Sequence, residues 1–399
     1  MENGYSQRGR EGSALIYLDN ASTSWPKPTV VPETMAAFLR DTAANPSRSG
    51  HILSIKAGKN VLAARTSVAE FFGESDPLRV VFSHNITTAL NTVLRGFLRP
   101  GDNVVTTGME HNAVMRPLRR LESSGVHISI VPCSSTGLLD PDDLRRSLNS
   151  HTRLIVINHA SNVCGTVQPV AEVGAIAREH GIPLLLDTAQ SAGCFPVHMK
   201  ESGADILAFT GHKGLLGPTG TGGLIFGKGF DPEQIDPLVT GGTGSASEKE
   251  EQPVFLPDRF EAGTLNACGI ASLAAGIKFI STLGMSALAG RKQELASRLV
   301  NGLMEIEGVE IQGDPLKEIS VPVVSMTTKR ISCSSLAQKL DERFEIACRA
   351  GLHCAPAAHM TLGTFPEGSL RLSPGIFNTM DEMDITVNAV RELVEEGSQ

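Results

Sequence analysis

Between residues 79 and 226 the chain repeats one arrangement, a short apolar run followed by a helix-compatible stretch, and few folds accept it. The runs are RVVF (79–82), NVVTT (103–107), VHISIV (126–131), RLIVIN (153–158), IPLLLD (182–187), DILAF (205–209) and GGLIF (222–226). Segments such as TTALNTVLRGFL (87–98) and AEVGAIAREHG (171–181) fill most of the gaps. Strands that are almost wholly apolar and separated by helices build a mostly parallel sheet covered on both faces. The expected class is α/β, with a mostly parallel seven-stranded sheet. Ligands of such sheets gather beyond the carboxyl ends of the strands. The polar residues at 83–87, 110–111, 158–162, 187–190 and 210–213 all fall there.

Around this block the pattern changes. Residues 1–13 read as a loose end, 16–19 as a short strand, and 29–40 and 52–72 as helices, the second stopped by Gly73. Residues 229–268 are irregular, and the run EKEE (248–251) reads as a solvated surface. Helices are expected near 269–283, 286–305 and 335–342, and strands near 308–312 and 320–326. The run 379–382, TMDE, fits a capping box opening a last helix, with Met383, Val387, Val390 and Val394 as its apolar stripe. The expected division is an N-terminal arm (1–28), a large domain (29–268) and a small C-terminal α+β domain (269–399).

At 399 residues and 41% hydrophobic content the chain can bury a large core. A formal charge of −8 argues against nucleic acid or an anionic membrane as the main partner. No apolar run reaches the length of a membrane span, and MENGYSQRGREGS has no apolar signal region, so a soluble, cytoplasmic protein is expected. The seven cysteines include no close C-x-x-C pair. Neither a disulfide scaffold nor a metal site fits them, and most should be small buried hydrophobes.

The stretch ADILAFTGHKGLLGPTGTGGLIFGK (204–228) reads as strand, glycine-rich turn, strand, with Lys213 in the joint. Taken alone, Lys213 is also what a surface lysine in a turn would be. Glycines that admit a ligand to the backbone, and Thr210 and His212 able to bind an anion, are what a lysine condensing with an aldehyde requires. Asp187 ends an apolar strand, where a carboxylate needs a partner; a protonated pyridine nitrogen is one, and a helix N-cap is the plain alternative. Gln190 could reach a ring oxygen or sit on a helix surface. His111 follows a strand and can stack on a flat ring and move protons near neutral pH. The stretch SHNITTALN (83–91) passes from strand to helix, where backbone amides and Thr87 can cup a phosphate.

Together these residues resemble the fold-type I pyridoxal-phosphate enzymes of the class V aminotransferase superfamily, and within it the group II cysteine desulfurases and selenocysteine lyases. The resemblance runs from YLDNAST (17–23) to RLSPGIFNT (371–379). It implies Lys213 as the Schiff-base lysine and Asp187 and Gln190, from DTAQ, at the pyridine nitrogen and ring hydroxyl. It implies a stacking His111, from EHNA, and Asn162, from SNVCGT, near the ring and the substrate carboxylate. Thr87, Ile86, Thr210 and His212 fall at phosphate-binding positions. Thr264, in FEAGTLN, would reach the phosphate of a partner subunit, making a homodimer with shared sites. The stretch CRAGLHCAP (348–356) resembles the R-x-G-x-H-C-A motif, which implies Cys354 as the persulfide-forming residue with Arg349 beside it. Arg371 fits the carboxylate-binding arginine, and Arg48 and His51 an R-x-x-H loop at the entrance. Ile86 stands where many relatives carry Thr or Ala, and HCAPAAH replaces the commoner H-C-A-Q-P.

The resemblance implies removal of sulfur from L-cysteine, leaving L-alanine and a Cys354 persulfide that passes to a thiol or a sulfur-acceptor protein. Arg349 and His353 would favour the thiolate if they lie close to Cys354. Selenocysteine lyase or another β-lyase is the nearest alternative. An ordinary aminotransferase needs no cysteine on that loop, and a sulfur-relay partner without turnover needs no lysine.

Overall fold

A computed structural model of the protein describes residues 15–46, 49–314 and 320–397. The readings for residues 1–13 and for Arg48 lie outside them. The strands are β1 (Ile16–Tyr17), β2 (Val80–Ser83), β3 (Asn103–Thr107), β4 (His127–Val131), β5 (Thr152–Asn158), β6 (Leu184–Asp187), β7 (Ile206–Thr210), β8 (Gly222–Phe226), β9 (Val309–Gln312), β10 (Val324–Thr328), β11 (Ile346–Ala347), β12 (Arg349–Gly351) and β13 (Ser369–Leu372). The α-helices are α1 (Val30–Asp41), α2 (Ile52–Phe72), α3 (Ile86–Phe97), α4 (Asn112–Glu122), α5 (Pro141–Ser147), α6 (Val170–Glu179), α7 (Met199–Ser202), α8 (Ala267–Leu283), α9 (Met285–Met304), α10 (Cys333–Phe344), α11 (Pro356–Thr361) and α12 (Met380–Glu396).

Every apolar run between 79 and 226 is a strand of one seven-stranded sheet, ordered β2-β8-β7-β6-β5-β3-β4. It is parallel except at β8, which runs antiparallel to both β2 and β7. Side chains alternate across the sheet as the period of two requires. Leu154 and Val156 of β5 pack with the core under α3 and α4, while Ile155 and Ile157 pack with the core under α6. In register, Asn158 lies beside Asp187 and Asp187 beside Ala208, so the carboxyl ends of β5, β6 and β7 form one polar shelf.

The smaller unit is an antiparallel sheet, ordered β12-β13-β10-β9, with α9, α10 and α12 supplying its apolar cover. The capping box at Thr379 is present: Thr379 N donates to Glu382 at 3.0 Å and Glu382 N to Thr379 Oγ1 at 3.2 Å. Met383, Val387, Val390 and Val394 are buried, as the stripe predicts. Gly73 closes α2 in the left-handed region, at φ 73°.

Two features were not legible in the chain pattern. Strand β1 pairs parallel with β11, about 330 residues away, so Ile16 and Leu18 lie in the core of the C-terminal unit. Helix α8 packs Ile270, Leu273 and Ile277 against Phe38, Phe72 and Phe209, in the core beside α2 and the large sheet. The irregular stretch before it is fixed by a buried pair. Arg65 meets Glu261 through two bonds of 2.7 and 2.8 Å, and Glu261 also accepts the Phe82 amide of β2. Residues 248–251 are exposed, as expected. Among the described residues no single helix is long and apolar enough to cross a membrane.

Candidate active site

The turn between β7 and β8 carries Lys213, and two other segments hold its backbone. Gly193 and Gly214 pack backbone to backbone: a Cβ on Gly193 would lie 2.1 Å from the Gly214 carbonyl oxygen, and one on Gly214 2.2 Å from that of Ala192. Residues 23–27 grip the turn from the other side. The His212 carbonyl accepts from the Ser24 amide at 3.0 Å, the Thr23 hydroxyl at 3.1 Å and Lys27 Nζ at 2.8 Å. The Ser24 hydroxyl donates to the Lys213 carbonyl at 3.0 Å. Burial lowers the Lys213 amine from 10.5 to about 8, with Asp187 opposing the shift and Arg371 and Arg349 adding to it. A lysine so placed presents more of its neutral, nucleophilic form near neutral pH than a surface lysine does.

Asp187 is buried at the end of β6, and its Oδ1 accepts the Ala189 amide at 2.8 Å. The residues after it form turns and no helix begins there, so its place is not a helix cap. Burial raises its pKa, and Lys213 holds the rise back. Gln190 is buried on the same turn and donates to the Ala21 carbonyl at 3.1 Å. His111 caps α4, with Nδ1 accepting the Ala113 amide at 3.0 Å, which leaves the ring proton on Nε2. Burial, with Lys213, Arg349, Arg116 and Arg371 assisting, lowers its pKa to about 4. The ring is therefore neutral at physiological pH.

Beside His111, Glu110 is fully buried, and its Oε1 accepts from Thr107 Oγ1 at 2.8 Å and from the Asn158 amide at 3.0 Å. Its Oε2 has no partner, and burial pushes the acid up to about 8.

Polar atoms without partners mark the space between these elements. They include Thr210 Oγ1 and His212 Nδ1 on the Lys213 turn, Asn162 Oδ1 after β5, and Arg371 Nε on β13. Buried donors and acceptors are normally paired, so a cluster of unpaired ones is the imprint of a polar ligand. Helix α3 adds its N-terminus, where Asn85 caps by accepting the Thr88 amide at 2.9 Å, and Ile86 and Thr87 open the first turn. The Ile86 side chain is buried, so that position offers an anion its backbone amide alone.

Across from the lysine stand two arginines and a thiol. Arg371, 1% exposed, donates to the Asn162 carbonyl at 3.0 Å, to Asp19 Oδ1 at 2.8 Å and to Ser22 Oγ at 2.7 Å. Arg349 donates to Ser22 Oγ at 3.1 Å and to Cys354 Sγ at 3.5 Å. Of the seven cysteines, Cys354 is the exposed one. Its loop is tied to the large unit by the Cys354 carbonyl, which accepts the Asn112 amide at 2.8 Å, and by Asn162, which donates to the His353 carbonyl at 2.7 Å. His353 and Cys354 both adopt left-handed backbone, at φ 47° and 58°. His353 does not serve the thiol. Its ring is buried, with Nε2 within 3.1 Å of the Ser369 carbonyl, and its pKa is lowered to about 2, chiefly by burial. Arg349 alone of the two expected helpers reaches the sulfur. Cys133 and Cys348 are half-buried, and burial pushes each thiol up to about 12; Cys164 is buried.

The aminotransferase class-V model matches residues 16–385. The chain belongs to the aminotransferase class-V family. A probable cysteine desulfurase of Methanothermobacter thermautotrophicus is 34% identical over 383 residues, covering 95% of this chain and 94% of the relative. The apo structure of a cysteine desulfurase from Thermococcus onnurineus superposes with a TM-score of 0.89 at 33% identity, covering 96% of this chain and 95% of that one. A cysteine desulfurase from Escherichia coli superposes with a TM-score of 0.85 at 27% identity, over 96% of this chain and 95% of that one.

Two residues suggested by the family pattern lie on the surface with local partners. His51 is exposed and caps α2, its Nδ1 accepting the Ser54 amide at 3.3 Å. Thr264 is exposed, with Asn45 Nδ2 3.5 Å from its hydroxyl. Sequence reasoning did not single out Asp19, Ser22 or Lys27, and it placed Glu110 only among the polar residues at the strand ends, with no role of its own. The first three lie in LDNASTSWPK (18–27), beside a resemblance that was noticed, but nothing local tells that this segment meets β13 and the Lys213 turn.

Proposed function

We propose that the protein is a pyridoxal-phosphate-dependent cysteine desulfurase that takes sulfur from L-cysteine onto Cys354 and releases L-alanine. The observation that carries this reading is the exposed Cys354 thiol, held by Arg349 on a loop bonded to Asn162 and Asn112. An aminotransferase would leave that thiol without a task.

The unpaired Thr210, His212, Asn162 and Arg371 atoms, together with buried Asp187, fit pyridoxal phosphate. Thr210, His212 and the first turn of α3 would take its phosphate, Asp187 its ring nitrogen, Gln190 its hydroxyl, and His111 the face of the ring. When bound it supplies an aldehyde for Lys213 and a ring that accepts electrons from the substrate's α-carbon.

Arg371 and Asn162 hold the substrate carboxylate, the guanidinium fork gripping both oxygens. Lys213 Nζ takes the α-proton and returns a proton later in the cycle. Cys354, as thiolate, attacks the substrate sulfur. The S–S bond forms as the C–S bond breaks, and the electron pair of the broken bond stays with carbon, which is then protonated. The products are alanine and a Cys354 persulfide, which passes to a thiol by exchange. Exposure of Cys354 suits hand-over to an acceptor protein. Exposed Thr264 suits a homodimer in which each subunit completes the phosphate site of its partner.

The test is anaerobic turnover of L-cysteine with a thiol reductant. Sulfide and alanine in equal amounts are expected. Pyruvate in place of alanine would make the protein a β-lyase, amino transfer to a keto acid would make it an aminotransferase, and turnover confined to selenocysteine would make it a lyase for that substrate.

A further inference from the structure

Ser22 lies between the two arginines of the site, and its hydroxyl is fully used. It donates to Asp19 Oδ1 at 2.8 Å and accepts from Arg371 Nη2 at 2.7 Å and from Arg349 Nη1 at 3.1 Å. One donor and two acceptor sites are all a serine hydroxyl has. The other amino group of the Arg349 fork, Nη2, donates to Cys354 Sγ at 3.5 Å. An unbroken chain of contacts thus runs from Arg371 through Ser22 and Arg349 to the thiol.

Occupancy of Arg371 is the variable in this chain. Its Nη1 is engaged by the Asn162 carbonyl, its Nη2 by Asp19 and Ser22, and its Nε has no partner. The Nε and Nη2 hydrogens lie on one edge of a guanidinium, the edge that a carboxylate grips in two-point fashion. A carboxylate arriving at Nε therefore competes with Ser22 and Asp19 for Nη2. Ser22 accepts from Nη2 and donates to Asp19, so its hydroxyl is disturbed whichever of the two gives way, and the other guanidinium it accepts from is that of Arg349.

We propose that Ser22 is a positioning residue that links occupancy of the Arg371 carboxylate site to the placement of Arg349 on the Cys354 sulfur. The thiol would thus register whether substrate is bound. This rests on the reading of Arg371 and Cys354 given above. Other charged or titratable groups facing this region include Tyr17, Asp19, Lys213, His111, Arg116 and His353. His111 and His353 are neutral at neutral pH, which leaves Arg349 as the cation bonded to the sulfur.

The experiment follows alkylation of Cys354 by iodoacetamide in the full-length holoenzyme at pH 7, quantified on the Cys354 peptide. Propionate serves as a carboxylate that cannot react as a substrate. Expected results are alkylation about tenfold slower in Ser22→Ala, near-normal rates in Ser22→Thr, and a change of twofold or more on adding propionate to wild type that is absent in Ser22→Ala. Unchanged alkylation in Ser22→Ala, or a propionate effect of equal size in both proteins, overturns the proposal. So does wild type that ignores saturating propionate, a result that needs no variant to fold. Failure of the desulfurase reading would show separately, as wild type making no alanine from cysteine while the propionate linkage stands.

Discussion

The two residues that carry the proposed reaction live in opposite surroundings. Lys213 sits on a turn whose backbone is gripped from two sides, within a shelf of buried groups, and burial lowers its amine to about 8. Cys354 is exposed between buried neighbours, on a loop with two successive left-handed residues and one arginine at its sulfur. The contrast fits what the proposed reaction asks of each. A lysine that forms and breaks a bond to a cofactor gains from fixed geometry and from water being kept away. A thiol that must collect a sulfur atom inside and surrender it outside needs reach. Left-handed backbone at non-glycine residues is costly and survives where surrounding contacts enforce it; here the Asn112 and Asn162 bonds to the loop do so.

Lys213→Ala should separate the two regions most sharply. It should lower alanine formation by about a thousandfold or more and abolish covalent capture of pyridoxal phosphate, while iodoacetamide still reaches Cys354. Retained covalent capture, read by borohydride reduction and peptide mapping, would remove Lys213 from its role and dissolve the comparison.

A smaller effect tests the buried side alone. The Glu110 carboxyl is raised from 4.5 to about 8 by burial. The folded protein keeps that proton between those two values while the unfolded chain loses it. Stability should therefore fall as pH rises from about 4.5 to about 8, by up to about 1.4 kcal/mol per pH unit from this group, and be unaffected by it above that window. Glu110→Gln keeps a neutral group of the same shape and should flatten this part of the profile in denaturant melts. Gln in place of Glu with an unchanged slope would mean that Glu110 is ionised in the folded protein.

How much of this could be read in the chain depended on distance along it. The seven strands were legible because each is a continuous apolar run, and Lys213, Asp187, His111 and Asn162 followed because strand ends place them together. The C-terminal unit was half legible. Its helices carry stripes and a capping box, but β12 and β13 are short, and their residues read as a motif rather than as strands. The network at Cys354 was the least legible part. Asp19 and Ser22 meet Arg371 across some 350 residues, and no local pattern announces a contact that only the folded small unit creates. The choice between His353 and Arg349 as the helper of Cys354 was likewise settled by side-chain direction, which spacing does not encode.

The proposed reaction turns on sulfur coming to rest on Cys354. Holoenzyme given one equivalent of L-cysteine without reductant, under anaerobic conditions, and then digested for mass spectrometry tests it directly. One added sulfur atom on the Cys354 peptide, matched by an equal amount of alanine, is expected. Alanine or pyruvate formed with no sulfur on Cys354 would contradict it.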